Sequence, residues 1–466
     1  MDKGINAVFR MESHVARIIG AQEQRGVQFD GQLALRHITT LEEIKTSLYE
    51  RIRPILSLEV DRPYNIPVNK PWLLDGSYSS SVLKWYGEGA DIVWGRFSRV
   101  SFNEPNLGSR NKLIAQLLRL GWEPLHYTDP SDTYPEGSPK LTYEGKPCSS
   151  LDDIGSEEGQ WIADWYTYNH RQSQIKGWVY GTKQNGFIPR VRDDGRIPAE
   201  AMTIGTNTFR FRHKKVVNVP KASDKVKFGK EMRSLFTATK GRVLVGHDAS
   251  GLELRMLAHF LNDPTFTHAV VEGNSDDGTD VHSENMRSAG LSNRDDAKTF
   301  IYAFLYGAGD AKIGAIIGGG AREGAKLKRQ FFAANPKLKA LVDSVADASK
   351  RGYLYGLDGR RIRMRRDKVT KKLQTHKALN TLLQCAGAVV MKYSMIFLDK
   401  WVREEGLDVW KVIDMHDEAQ ADVHLRDVKR YKELAIKSVR VAGEYLGLNV
   451  PLDAEAKHGN NWAETH

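Results

Sequence analysis

The chain predicts an α+β fold whose central sheet is built from two stretches that lie far apart in sequence. Three observations carry this expectation. RVLVGHD, residues 242–248, is a compact run of strand type that passes at once into the amphipathic helix GLELRMLAHFLND. VWKVIDMHDEAQADV, residues 409–423, alternates in the manner of a hairpin. Between them, residues 280–345 are mainly of helical period.

From the N-terminus, residues 1–56 read as two helical runs, with apolar positions at Val15, Ile18 and Ile19 and then at Leu41, Ile44 and Leu48. Gly26 and the following VQFD mark the break between them. From about residue 57 to 100 the texture changes to Pro63, Pro67 and Pro71, scattered Gly and Ser, and isolated Trp72, Trp85 and Trp94. An irregular insertion with short strands is the expectation there. FNEPNLGSRNKLIAQLLRLGW reads as a helix opened by Asn or Ser and stopped by Gly121. Residues 123–155 are loop-rich, 156–176 helical, and strand and turn texture begins at 190. Downstream, GAIIGGG reads as a loop and LNTLLQCAGAVVMKYSMIFLDKW as a long helix weakened at Gly387. Residues 427–446 form a last amphipathic helix.

The composition sets limits on function. Net charge is +10 over 466 residues, with pI ≈ 9.2 and mean hydropathy −0.47. Such a balance suits a polyanionic partner, because phosphates are bound chiefly by Lys and Arg; a basic surface without a partner has the same composition. No apolar run approaches the ~18 residues of a membrane span, so no membrane segment is expected. MDKGINAVFRMESHVARIIG lacks the apolar core of a signal peptide. Cys148 and Cys385 have no metal-ligand spacing, which leaves neither a disulfide nor a zinc framework. A reducing cytoplasm is the expected setting.

A strand-end aspartate can project into a cleft while its backbone stays tied into a sheet. Asp248 meets that condition, with the Ala249 carbonyl as an additional oxygen ligand. Asp417 and Glu418 lie in the hairpin, where adjacent side chains diverge, and Asp417 is the one expected to point the way of Asp248. Magnesium takes one or two carboxylates plus water and substrate phosphates, so the pair is a candidate site for two Mg2+ ions. In RDDAKTFIYAFLYGAG, Arg294, Lys298 and Tyr302 share one helix face at i, i+4 and i+8. Two cations at that spacing can bracket β- and γ-phosphates, while Phe300, Ile301, Phe304 and Leu305 anchor the opposite face. His282, in TDVHSENM, can add a phosphate hydrogen bond. Singly, each motif has an ordinary account as a helix cap, a polar turn or a solvated basic stripe. Their occurrence together, in this order, favours chemistry on a triphosphate.

At these residues the chain resembles the family A DNA polymerases, the class of bacterial DNA polymerase I and of replicative polymerases of podovirus-type phages. DASGLELR resembles the family's motif A, RDDAKTFIYAFLYGAG its motif B and HDE its motif C. FNEPNLGSR resembles a thumb element, GLDGRR a fingers element, HKALNTLLQCAGA the helix leading back to the palm, and HGNNWAETH the C-terminal tail. The resemblance implies a right-hand polymerase fold: thumb at 1–190 with the insertion at about 57–100, palm at 191–264 and 379–466, and fingers at 265–378. It implies template-directed extension of a primer 3′-hydroxyl with dNTPs. Asp248 and Asp417 would hold two Mg2+ ions, with Glu418 in a supporting catalytic role. Arg294, Lys298, Tyr302, His282, Glu253 and Leu252 would bind the dNTP. Arg210, Asn380, Gln384 and His416 would bind primer-template DNA. Glu253 matches the position that blocks a ribose 2′-hydroxyl and bonds to Tyr302, and Tyr302 itself implies tolerance of dideoxynucleotides.

Two departures stand out. An element that usually reads TGR appears as TFRFRH, with Phe209 where glycine is expected. No segment resembling a proofreading exonuclease precedes the thumb, so a chain without 3′→5′ proofreading is expected, the exonuclease being either a separate chain or a part trimmed from this one. Further expected partners are a replisome helicase or primase and, at 57–100, a processivity factor, although that stretch could equally make a small self-contained lobe. If the chain is phage-encoded, the compartment is the bacterial host cytoplasm. The basic run RRIRMRRDK, residues 360–368, would track a phosphate backbone or serve as a solvated face. Two other readings compete: a single-subunit RNA polymerase, against which Glu253 speaks, and a non-catalytic DNA-binding subunit, against which the intact carboxylates speak.

Overall fold

The structure, a computed structural model, describes residues 5–61, 69–86, 101–131, 134–143, 146–152, 154–181, 183–367 and 370–465. The chain divides into two compact units, one of Met1–Ile38 with Ser173–His466 and one of Thr39–Gln172. Residues 1–38, grouped with the thumb in the sequence reading, thus belong to the larger unit.

In the larger unit the elements that shape the site follow in chain order: β1 (Arg242–Ala249), α1 (Leu252–Leu261), α2 (Val281–Ala289), α3 (Arg294–Leu305), α4 (Ala378–Glu404), β2 (Val409–Met415), β3 (Glu418–His424), α5 (Val428–Tyr445) and β4 (Ala454–Gly459). The four strands make one antiparallel sheet in the order β2-β3-β1-β4. Two distant stretches of chain therefore build one sheet, as the sequence suggests.

β1 is central because its residues suit burial on both faces: Val243, Leu244 and Val245 are all buried. Val243 and Val245 pack with Leu398 of α4 and with Tyr431, Leu434 and Ala435 of α5. The alternation of side chains along a strand sends Leu244, Gly246 and Asp248 to the other face. A side chain at Gly246 would run into the Gln420 amide and the Thr465 carbonyl, so this crossing requires glycine. β4 is not announced by the sequence. Glu455, Lys457 and His458 are exposed on it, and an edge strand with a solvated face carries no apolar run.

α3 starts where Asn293 accepts the Asp296 amide, and Asp295 and Asp296 put negative charge at its first turn. Its apolar face is buried, with the Phe300 ring edge-on to Phe331 at 5.0 Å. α4 runs unbroken through Gly387, where an added Cβ would lie 3.3 Å from the Leu252 side chain. The expected weak point is instead a place of close packing. The stretch Thr375–Glu404 is also long and apolar enough to cross a membrane, which corrects the sequence reading; 67% of its apolar window is buried inside the fold, as in a core helix. GAIIGGG is corrected in part as well, since Gly314 sits in a short helix, Asp310–Ala315.

A buried charge network ties the N-terminal helix, Ile5–Arg25, to the rest of this unit. Glu12 accepts from Lys392 of α4 through both oxygens at 2.8 Å and from Arg360 at 2.7 Å. Arg360 also forks onto Asp358, and Lys392 reaches the Thr203 carbonyl at 2.9 Å. All four charged groups are buried. Removing one member of such a set strands the others without water, which costs about 3–5 kcal/mol. Arg360 is thereby withdrawn from the run expected to track phosphates, while Arg361, Arg363, Arg365 and Arg366 stay exposed.

The smaller unit packs around Ile52, Leu113, Leu117, Trp122, Leu151 and Ile162. Its helix Arg110–Arg119 follows Ser109, which makes no side-chain cap bond, and Gly121 at φ +92° stops it. The insertion expected at 57–100 lies in large part outside the described residues. At its edge, Glu59–Asp61 pairs with Ser101–Asn103.

Candidate active site

Two carboxylates are delivered by the sheet. β1 pairs with β3 in a register that sets Asp248 opposite Glu418, and with β4 in one that sets it opposite Glu455. The Ala249 amide donates to the Asp417 carbonyl at 3.1 Å, which fixes the hairpin tip against the end of β1. His416 and Asp417 form the two-residue turn between β2 and β3, with His416 at φ +64°. A non-glycine residue held there is a strained feature of the kind that gathers at working sites.

The electrostatics follow from this crowding. Burial, and then the charges of Asp417 and Glu418, push the Asp248 carboxyl up to about 7, with Lys221 opposing. Asp417 is exposed at the hairpin tip, yet protein flanks it closely enough that lost hydration is the main cause raising its carboxyl as well. Glu418 is spoken for. It accepts from Arg233 at 3.3 Å, from Gln420 at 2.9 Å and from the Trp462 indole, while the Arg233 guanidinium lies 4.4 Å over the Trp462 ring. The register thus makes Glu418 the nearest strand neighbour of Asp248, but its carboxylate anchors the C-terminal turn. Among the described residues no group of three or more His, Cys, Asp or Glu side chains forms a metal cage. The oxygen donors on hand are the Asp248 and Asp417 carboxylates with the Ala249 backbone between them.

Beside them, Glu253 on the first turn of α1 joins three elements. It accepts from the Tyr306 hydroxyl, just past α3, at 3.0 and 2.8 Å and from Arg210 at 2.8 Å. The sequence expectation of a Glu253–Tyr302 bond is corrected here. Tyr302 lies one turn earlier, half-buried, with its ring 6.1 Å from that of His282. Burial and the charge of Glu253 raise both tyrosines. Arg210 follows Phe209, which adopts φ +60°, a left-handed conformation that glycine takes at no steric cost. Arg360 lies 4.6 Å over the Phe209 ring and helps hold it. Phe209, Arg210, Glu253, Gly387, His416 and Asp417 line a small cleft, into which Leu252 also reaches.

The cationic face is on α3. Lys298 is exposed, and Arg294 is clasped by Asp280, the cap residue of α2: Nε lies 3.1–3.2 Å and Nη2 2.8 Å from the carboxylate. His282 follows two residues later, buried, and burial together with the nearby Arg294 lowers its imidazole. Asn380 and Gln384 share one face of α4 at i and i+4, both partly exposed. Sequence reasoning missed Tyr306, Asp280, Arg233 and Trp462. Each of them acts on a site residue through a contact that only the fold makes.

Known proteins resemble this chain over much of its length. A family model described as DNA polymerase family A matches residues 157–464. The DNA-directed DNA polymerase of Escherichia phage Phieco32 is 41% identical over 362 residues, covering 60% of this chain and 57% of its own length. That of Enterobacteria phage T3 is 33% identical over 397 residues, covering 78% of this chain and 53% of its own. The chain therefore spans about half the length of the curated relatives it matches. Among solved structures, the POL domain of Pol1 from M. smegmatis, in complex with DNA primer-template and dNTP, aligns with a TM-score of 0.69 at 20% identity. That likeness covers 98% of this chain and 70% of the other and identifies the fold as that of a right-hand polymerase domain.

Proposed function

The chain belongs to DNA polymerase family A, and from that premise we propose that it extends a DNA primer 3′-hydroxyl with deoxynucleoside triphosphates under the direction of a template strand. One observation carries the proposal. The Tyr306–Glu253 bond ties the cationic helix α3 to the helix that leaves the carboxylate strand, so triphosphate-binding and acidic groups belong to one frame. In subdomain terms, 191–264 and 379–466 are the palm, 265–378 the fingers and 1–190 the thumb, of which 1–38 and 173–190 group with the larger unit.

Arg294 and Lys298 neutralise the β- and γ-phosphates, and neutral His282 donates to a phosphate oxygen. Tyr302 packs against the incoming base and sugar. Glu253, held by Tyr306 and Arg210, fills the space of a ribose 2′-hydroxyl and excludes it by sterics and desolvation. Arg210, His416, Asn380 and Gln384 contact primer and template. Asp248, Asp417 and the Ala249 carbonyl fit divalent cations, because a carboxyl pushed up to about 7 by burial and then by its neighbours' charge is one that a dication relieves. Two Mg2+ ions held there would activate the primer hydroxyl and neutralise the departing pyrophosphate. The phage origin of the similar polymerases favours genome replication as the setting.

Primer extension with Asp248→Ala and Asp417→Ala tests the assignment. Both variants should bind a primer-template duplex close to normally and add no nucleotide above background. Near-normal turnover in either would remove that aspartate from the chemistry.

A further inference from the structure

We propose that Asp280 is a positioning residue of the triphosphate site, holding Arg294 by one edge so that its other edge faces the phosphates; this rests on the triphosphate role proposed for α3. A guanidinium has five N–H donors on a planar fork, and its two carboxylate-matching edges are distinct. Asp280 occupies the Nε–Nη2 edge, with Nε at 3.1 and 3.2 Å and Nη2 at 2.8 Å. Nη1 and the edge it shares with Nη2 are left for a second oxyanion. Asp280 therefore orients the arginine without competing for the donors that a phosphate needs.

The same carboxylate organises the other side of the site. It accepts the His282 amide at 3.0 Å and the Ser283 hydroxyl at 2.5 Å, and so caps α2. Two phosphate-binding groups on different helices, Arg294 and His282, thus take their positions from one side chain. Asp280 is 6% exposed whereas the Arg294 side chain is 38% exposed, so the buried partner is the fixed one and the arginine is set by it. Losing the clasp frees a long side chain with several rotatable bonds, and the lost orientation should appear in dNTP capture rather than in the duplex grip.

Asp280→Asn separates capping from clasping. Asparagine caps a helix about as well as aspartate, but it offers Arg294 no charged pair of oxygens. With a primer-template and single-nucleotide addition, Asp280→Asn should raise the dNTP KM roughly tenfold, with a smaller change in kcat and in duplex Kd. Asp280→Ser, a second neutral cap, should behave alike, and in an Arg294→Ala background Asp280→Asn should add almost nothing. A KM within twofold of wild type, or a lower KM, would overturn the positioning role. So would an equal loss in the Arg294→Ala background, which would mean action through the helix rather than the arginine. Arg294→Ala with an unchanged KM would instead sink the triphosphate role of α3 itself.

Discussion

Tyr302 and Tyr306 are four residues apart on nearly the same helical face, and only one of them reaches Glu253. Spacing alone cannot choose between them, because the choice depends on where α1 crosses the end of α3. The contact is with Tyr306 at 2.8–3.0 Å. Tyr306→Phe should therefore loosen Glu253 and lower the preference for dNTP over rNTP, measured as a ratio of kcat/KM, by roughly tenfold. Tyr302→Phe should leave that ratio nearly unchanged, and the opposite pattern would return the partnership to Tyr302. The same limit explains Asp280, whose sequence context reads only as a helix cap. Its clasp on Arg294 is a tertiary fact. By contrast the elements that carry Asp248, Asp417, Arg294, Lys298 and His282 are legible in sequence, since they are set by strong local patterns of strand, hairpin and cap.

Among the elements, β1 and the β2–β3 hairpin are readable because apolar runs and a short polar turn define them. β4 is hidden by its solvated edge face, and Gly387 misleads because a glycine within a helix looks weak until the Leu252 contact is seen. Gly246 is the sharper case. It lies between Gln420 of β3 and the C-terminal turn, and the Gln420 amide is itself fixed by Glu418. Gly246→Ala should cost about 2–3 kcal/mol in urea unfolding and should disturb the sheet two residues before Asp248. A variant as stable as wild type would mean that the C-terminal turn yields easily. The element that departs most from its motif, TFRFRH, holds Phe209 at φ +60°, a backbone that suits the glycine expected there. Composition disguises this, and geometry reveals it.

At the scale of the whole molecule, acid should act on the smaller unit through one largely buried imidazole. There, burial and the neighbouring Arg171 hold the His170 imidazole down to about 4, with Nδ1 lacking a hydrogen-bond partner. Unfolded His170 takes its proton near pH 6.5, so below that pH only the unfolded chain gains protonation. The stability of this unit should fall as pH drops from about 6.5 toward 4, by up to ~3 kcal/mol, and level off below. Hydrogen exchange along Glu157–Lys176 at pH 7 and pH 5 would read it, and His170→Gln should flatten the difference. Equal protection at both pH values in the wild type would assign His170 an ordinary titration.

The buried pair of Glu12 and Lys392 has a consequence for the chain while it is being made. The two residues are 380 apart. At ribosomal speeds of about 5–20 residues per second, Lys392 is made some 20–75 s after Glu12, and the other partner, Arg360, only slightly earlier. During that interval Glu12 is an ordinary solvated carboxylate and the apolar side of its helix lies open to other chains. The larger unit thus joins the helix Ile5–Arg25 to a helix made some 380 residues later.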